Sequence, residues 1–166
     1  MGIDCHEVRS LEELKPVTHL IIPGGESTVI AQFLDRTGVG NEIRRRVKWL
    51  DLAVYGTCAG AILIAKNVKG KAAPPSLSLM KLTIERNAYG RQLQSFEANI
   101  VVKGIEKPMH VAFIRAPKIL KVGRKVEVLA SHSGNPVLMK QGRVLAGTFH
   151  PEVRGSQEIH KLFLAL

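Results

Sequence analysis

The chain has 166 residues, of which 45% are hydrophobic and 23% charged, with a formal charge of +10. That length suffices for one domain with a real core, read as residues 1–166, and no apolar run approaches the ~20 residues of a membrane-spanning helix, so no membrane contact is expected. Cys5 and Cys58 are too few for a disulfide framework and neither has a CxxC partner, so a reducing, cytoplasmic setting without a bound metal is expected.

The opening MGIDCHEVRS has no basic stretch followed by an apolar one, so no signal peptide is expected. Position 6 is His6 rather than Ser or Thr, which argues against myristoylation at Gly2. The positive residues are scattered, and aromatic content is 5%. That leaves little material for base stacking, and nucleic acid is not an expected partner.

In chain order, residues 17–22 form an apolar run ending in Pro23-Gly24-Gly25, which predicts a buried strand and a loop. Gly24 and Gly25 permit positive φ and offer bare N–H groups that could meet an oxyanion or a carboxylate. The plainer reading is a strand–helix turn with Ser27 or Thr28 capping the helix over 27–34. The loop lacks the GxxxxGK[ST] pattern of a nucleotide-phosphate site. A second helix is predicted over 42–50, with Arg44 to Arg46 on its outer face. A strand over 52–55 and a helix over 59–66 follow. Alternating strands and helices predict a parallel α/β sheet.

Cys58 lies at the second strand–helix corner, in the small-residue stretch GTCAG. Two readings stand side by side here. One is a packed cysteine in a turn. The other is a nucleophile elbow, in which a sharp turn lifts the thiol off the sheet and the helix start favours thiolate.

Residues 71–78 (KAAPPSLS) read as a loop. Short strands are predicted over 82–85, 98–102, 111–115 and 126–130. Residues 137–140 and 143–148 flank Gln141-Gly142 and predict a hairpin. A helix is predicted over 156–166. Arg86 and Arg115 each close a strand-like run. They are either plain surface charges or holders of an anionic or zwitterionic ligand. In GTFHPEV, an extended segment would put His150 and Glu152 on one side, with the carboxylate orienting the imidazole. Together with the elbow, this makes Cys58–His150–Glu152 a nucleophilic proposal.

PGGEST, GTCAG and FHPE, in that order, resemble the triad-type (class I) glutamine amidotransferases. ERNAYGRQLQSFEA followed by FIRAP is similar to the glutaminase subunit of pyridoxal 5′-phosphate synthase, the Pdx2/PdxT family. The resemblance runs from Glu12 to the C-terminus. It implies a flavodoxin-like three-layer α/β sandwich with a mostly parallel sheet. It implies Cys58 as nucleophile with His150 and Glu152 as partners, and Gly25, Glu26 and Ser27 as a glutamine-binding loop. Arg86, Ile114 and Arg115 match the other glutamine-binding positions, and the N–H groups of Gly25 and Ala59 the oxyanion site.

The implied reaction is hydrolysis of L-glutamine to glutamate and ammonia, with no cofactor. The ammonia passes to a separate synthase subunit (Pdx1/PdxS-like) in a large hetero-oligomer. That subunit builds the vitamin B6 cofactor from a pentose phosphate and a triose phosphate. Two features depart from the family besides the basic charge. Ser78 stands where the family often has Gly. The chain also opens at Gly2-Ile3-Asp4, which matches the family's second strand. About thirty to forty residues, one strand–helix unit, are thus expected to be absent, exposing strand edges. Two other readings are an inactive form serving as a scaffold, and the glutaminase of another class I amidotransferase, such as that of imidazole-glycerol-phosphate synthesis. ERNAYGRQ and FIRAP argue against the latter.

Overall fold

The computed structural model describes residues 1–86 and 95–166, with Arg154 described by its backbone alone. Asn87 to Gln94, within the ERNAYGRQLQSFEA motif, lie outside the described residues. The elements begin with α1 (Leu11–Leu14), β1 (His19–Ile22), α2 (Ser27–Arg36), α3 (Val39–Lys48), β2 (Ala53–Thr57) and α4 (Ala59–Ile64). Then come β3 (Ala65–Lys69), β4 (Met80–Glu85), β5 (Phe96–Ile100), β6 (Met109–Phe113) and β7 (Lys118–Val122). The chain ends with β8 (Glu127–His132), β9 (Asn135–Gln141), β10 (Val144–Gly147), a 3₁₀ turn (Glu152–Arg154) and α5 (Glu158–Leu164).

The frame of the molecule is a five-stranded sheet in the order β1-β2-β10-β9-β8. β1 and β10 both pair parallel to β2, so all three strands end at the same edge. Every residue of β2 is buried, as expected of a strand covered on both faces. Its side chains alternate between two cores. Val54 joins α2, α3 and α4 on one face, while Ala53 and Tyr55 face β5, β6 and α5 on the other. A second sheet, β3-β4-β7, extends the first layer, and β5 pairs with β6 in the other. No helix among the described residues is long and apolar enough to cross a membrane.

The expected α/β layering holds, but the sheets are mixed rather than mostly parallel. β9–β10, β8–β9, β4–β7 and β5–β6 are antiparallel. For β9–β10 the reason is local: the Gln141-Gly142 turn closes a hairpin, which forces antiparallel pairing. The predicted helix over 59–66 stops at Ile64, where the chain passes directly into β3. Gly2-Ile3-Asp4, read as a strand, forms no regular element, because residues 1–9 find no partner ladder.

The Arg44–Arg46 run is not one basic outer face. Arg46 is buried, donating to the carbonyls of Leu14 (2.8 Å) and Val17 (2.7 Å) and pairing with Asp51. Arg44 reaches the carbonyls of Ser76 and Leu77. Arg45 forms an ion pair along the helix with Glu42, and Arg44 also donates to Asn41 one turn earlier. The i, i+4, i+7 spacing of Val39, Ile43 and Arg46 puts the third arginine on α3's buried stripe.

Candidate active site

Three strand ends converge at one edge of the sheet, where ligands bind in open α/β folds. β1 runs into Pro23-Gly24-Gly25-Glu26, β2 into Cys58, and β10 into His150 and Glu152. Cys58 sits at the corner with φ 51° and ψ −103°, outside the region that non-glycine residues ordinarily occupy. Its N–H donates to the Gly147 carbonyl at 2.8 Å, which continues the β2–β10 ladder to the corner.

The small residues around it are explained by contact. A Cβ on Gly60 would lie 2.0 Å from the Ile22 carbonyl oxygen, and one on Gly56 would lie 2.5 Å from the Gly60 carbonyl. The corner therefore closes only where helix and strand backbones touch.

Cys58 stands at a sharp, strained corner, the backbone condition that a nucleophile elbow requires. Its thiol donates to the Ile114 carbonyl at 3.8 Å and lies near enough to the His150 ring to influence its titration. The ring's Nδ1 is 2.7 Å from Glu152 Oε1. The hydrogen bond to Cys58, and behind it Glu152, raise the His150 pKa from 6.5 to about 9, against the opposing effect of burial. His150 N–H donates to the Ala112 carbonyl at 2.8 Å, so its backbone is extended as expected. Glu152 arrives differently. Pro151 is helical (φ −69°, ψ −27°) and opens the 3₁₀ turn, so the carboxylate meets the ring through a turn rather than along a strand.

A second cluster lies on α2 and β4. Glu26, rather than Ser27 or Thr28, is the N-cap of α2, its carboxylate accepting from the Thr28 N–H at 3.2 Å. Arg86 donates to Glu26 Oε1 at 2.6 Å, to Thr28 Oγ1 at 3.1 Å and to the Ala72 carbonyl at 3.2 Å. The Thr28 N–H holds the Glu26 carboxyl below its ordinary range, helped by the charges of Arg86 and Arg115. Arg115 is exposed, adopts φ 46° and makes no ion pair among the described residues. Ile114, beside it, is 38% exposed, and its carbonyl faces Cys58. Ser27 is buried and off the surface these residues share, and Ala59 is buried directly after Cys58. An open groove of about 690 Å³ along β3, lined by Lys66, Lys69, Ser76 and Thr83 among others, includes none of these residues.

Two contributors were not legible as site residues. Thr28 and the Ala72 carbonyl hold Arg86 from positions remote in sequence. Of the glycine pair, Gly25 alone takes positive φ (128°), while Gly24 is required for closeness, since a Cβ there would lie 2.5 Å from His150 Cε1. Gly24→Ala is therefore expected to displace the ring while barely altering the melting temperature, because a side chain, not backbone, must yield. Assays of turnover and thermal melting on one preparation check this, and full turnover in the variant contradicts it.

The comparisons with known proteins give the family. The model of the SNO glutamine amidotransferase family matches residues 1–166. A relative from Thermus thermophilus, named pyridoxal 5′-phosphate synthase subunit PdxT, is 45% identical over 166 residues, covering 100% of this chain and 86% of its own length. One of the same name from Chloroflexus aurantiacus is 49% identical over 170 residues, covering 100% and 89%. A crystal structure of a glutamine amidotransferase superposes with a TM-score of 0.94 at 45% identity, covering 99% of this chain and 86% of that one. Another from Thermotoga maritima, at 13% identity and a TM-score of 0.54, shares the fold over 96% of this chain and 68% of its own. The chain belongs to the SNO glutamine amidotransferase family.

Proposed function

We propose that this chain, as a single domain, is the glutaminase subunit of a pyridoxal 5′-phosphate synthase, hydrolysing L-glutamine to glutamate and ammonia. The observation that carries the reading is the strained elbow at Cys58 facing a histidine whose Nδ1 is held by Glu152 at 2.7 Å. With Nδ1 engaged by Glu152, Nε2 is the nitrogen left to take the Cys58 proton.

Cys58 Sγ attacks the side-chain amide carbon. The resulting oxyanion is met by the N–H groups of Gly25 and Ala59. His150 returns the proton to the amide nitrogen, the C–N bond breaks, and ammonia leaves a γ-glutamyl thioester. His150 then deprotonates water, which attacks the thioester carbon and releases glutamate and the thiol. A histidine held protonated up to about pH 9 suits the acid step at neutral pH.

The zwitterionic end of glutamine needs an anion for its ammonium and a cation for its carboxylate. Glu26 supplies the anion for its ammonium, while Arg115 and Arg86 face its carboxylate, with Gly25 and Ile114 completing the pocket wall. The relatives' name as synthase subunits supports a synthase partner of the Pdx1/PdxS kind that receives the ammonia, in a hetero-oligomer.

The test is release of glutamate and ammonia in equal amounts from L-glutamine, with the synthase subunit supplied. A folded chain that docks the synthase but releases neither overturns the reading in favour of an inactive scaffold. Within this reading, Glu152→Gln is expected to lower kcat by about 10²–10⁴-fold. The sign of its pH effect is fixed. Glu152 raises the His150 pKa, so its removal lowers that pKa. The alkaline limb of kcat/KM then moves to lower pH, and an unmoved limb contradicts the assigned role.

A further inference from the structure

We infer that the Thr57 hydroxyl is a positioning group that sets the spacing between Cys58 and His150; this rests on the nucleophile and base roles proposed above. Thr57 directly precedes Cys58, and Phe149 directly precedes His150. Thr57 is buried at 4% exposure, and its Oγ1 donates to the Phe149 carbonyl at 2.5 Å, across 92 positions of sequence.

What makes this bond matter is where the neighbouring backbone bonds go. The β2–β10 ladder ends at the Gly147–Thr57 pair and the Cys58 N–H. Beyond it the chain turns away from β2. Thr148 N–H donates to Val137 on β9 at 2.9 Å, and His150 N–H donates to Ala112 on β6 at 2.8 Å. Among the described residues, the Thr57 hydroxyl makes the one hydrogen bond from β2 to residues 148–150. The base is thus tied to β9 and β6 by its backbone, and to the nucleophile's strand by this side chain.

Thr57→Val keeps the β-branched shape and removes the bond, while Thr57→Ser keeps the bond and removes the methyl. The valine variant is expected to lose about 10- to 100-fold in kcat at nearly unchanged KM, the response to a misplaced reacting pair. The serine variant is expected to recover most of that loss. A second readout needs no turnover. Iodoacetamide alkylation of Cys58 against pH, read by peptide mass spectrometry, is expected to shift in the valine variant and return in the serine variant. Exposed Cys5 serves as an unshifted control within the same chain.

Wild-type kcat with an unshifted Cys58 profile in the valine variant overturns the inference, as does equal impairment of the valine and serine variants. If valine lowers the melting point below the assay temperature, Thr57→Ala and Thr57→Ser make the same comparison in the cold. Should the wild-type chain release no glutamate, the glutaminase reading fails on its own, and the alkylation profiles still decide the role of Thr57.

Discussion

Cys58→Ala is expected to abolish glutamine hydrolysis, lowering kcat by about 10⁴-fold or more, while the chain remains folded. Alanine at this corner adopts φ 51° with no more strain than cysteine, because both carry one Cβ and no branch. The packing loss is a single buried sulfur. A second signature accompanies the loss of turnover. The interaction with Cys58, in which the protonated ring donates toward sulfur, is the largest influence raising the His150 pKa, so in the variant the imidazole should titrate below about 9. Glutamate release by a coupled assay checks the first effect, and NMR titration of His150 checks the second. Persistent hydrolysis would remove Cys58 from the chemistry. An unmoved His150 titration would show that the thiol and ring are not paired in solution.

Gly60→Ala is expected to be the most damaging of the small substitutions near the site. The added methyl would fall 2.0 Å from the Ile22 carbonyl oxygen and 2.8 Å from its carbon. Both are backbone atoms of β1, so relief requires moving a strand or tilting α4. A cost of about 3 kcal/mol or more follows, as for overpacking that displaces main chain. For a chain of this size that corresponds to a fall of about 6–12 °C in melting temperature. Activity should fall with it, since Ile22 leads directly into the Gly24-Gly25 loop beside His150. A calorimetric scan of the variant decides the matter, and a melting point within about 2 °C of wild type would show the contact to be absent.

The same glycine shows how far sequence could reach. GTCAG marks the elbow because small residues are the local condition for a tight corner, and the partner of Gly60 is only a strand away. β1, β2, α2 and the β9–β10 hairpin were legible for similar reasons: each carries its period or its turn residues within itself. β3 and β7 were not. AKNVK and KILKV are short and lysine-flanked, with one or no fully buried residue beyond the first, so neither alternates cleanly. Arg46 reads as surface charge until α1 and the segment after it supply buried carbonyls for it. Pro151 fixes φ but not ψ, and packing selected a turn where an extended segment was expected. The grouping of Cys58, His150 and Glu152 came from the small-residue elbow and the His-Pro-Glu spacing, with motif order added to them. The contacts that hold them, through Gly24, Thr57 and Ala112, join residues far apart in the chain and leave no local trace.

The parallel ladders on either side of β2 also set a timetable. On one side His19 meets Ala53, a closure available early in synthesis; on the other, Val54 must wait for Val144. Until that late strand arrives, the elbow lacks the Gly147 carbonyl that anchors the Cys58 N–H, and no base stands near the thiol. Non-local closures of this kind form slowly. The nascent chain thus carries an unpaired cysteine, flanked by an open strand edge, for most of its translation. Oxidants and aggregation act in that interval, so the yield of active protein should depend on how quickly the last twenty or so residues emerge and close the sheet.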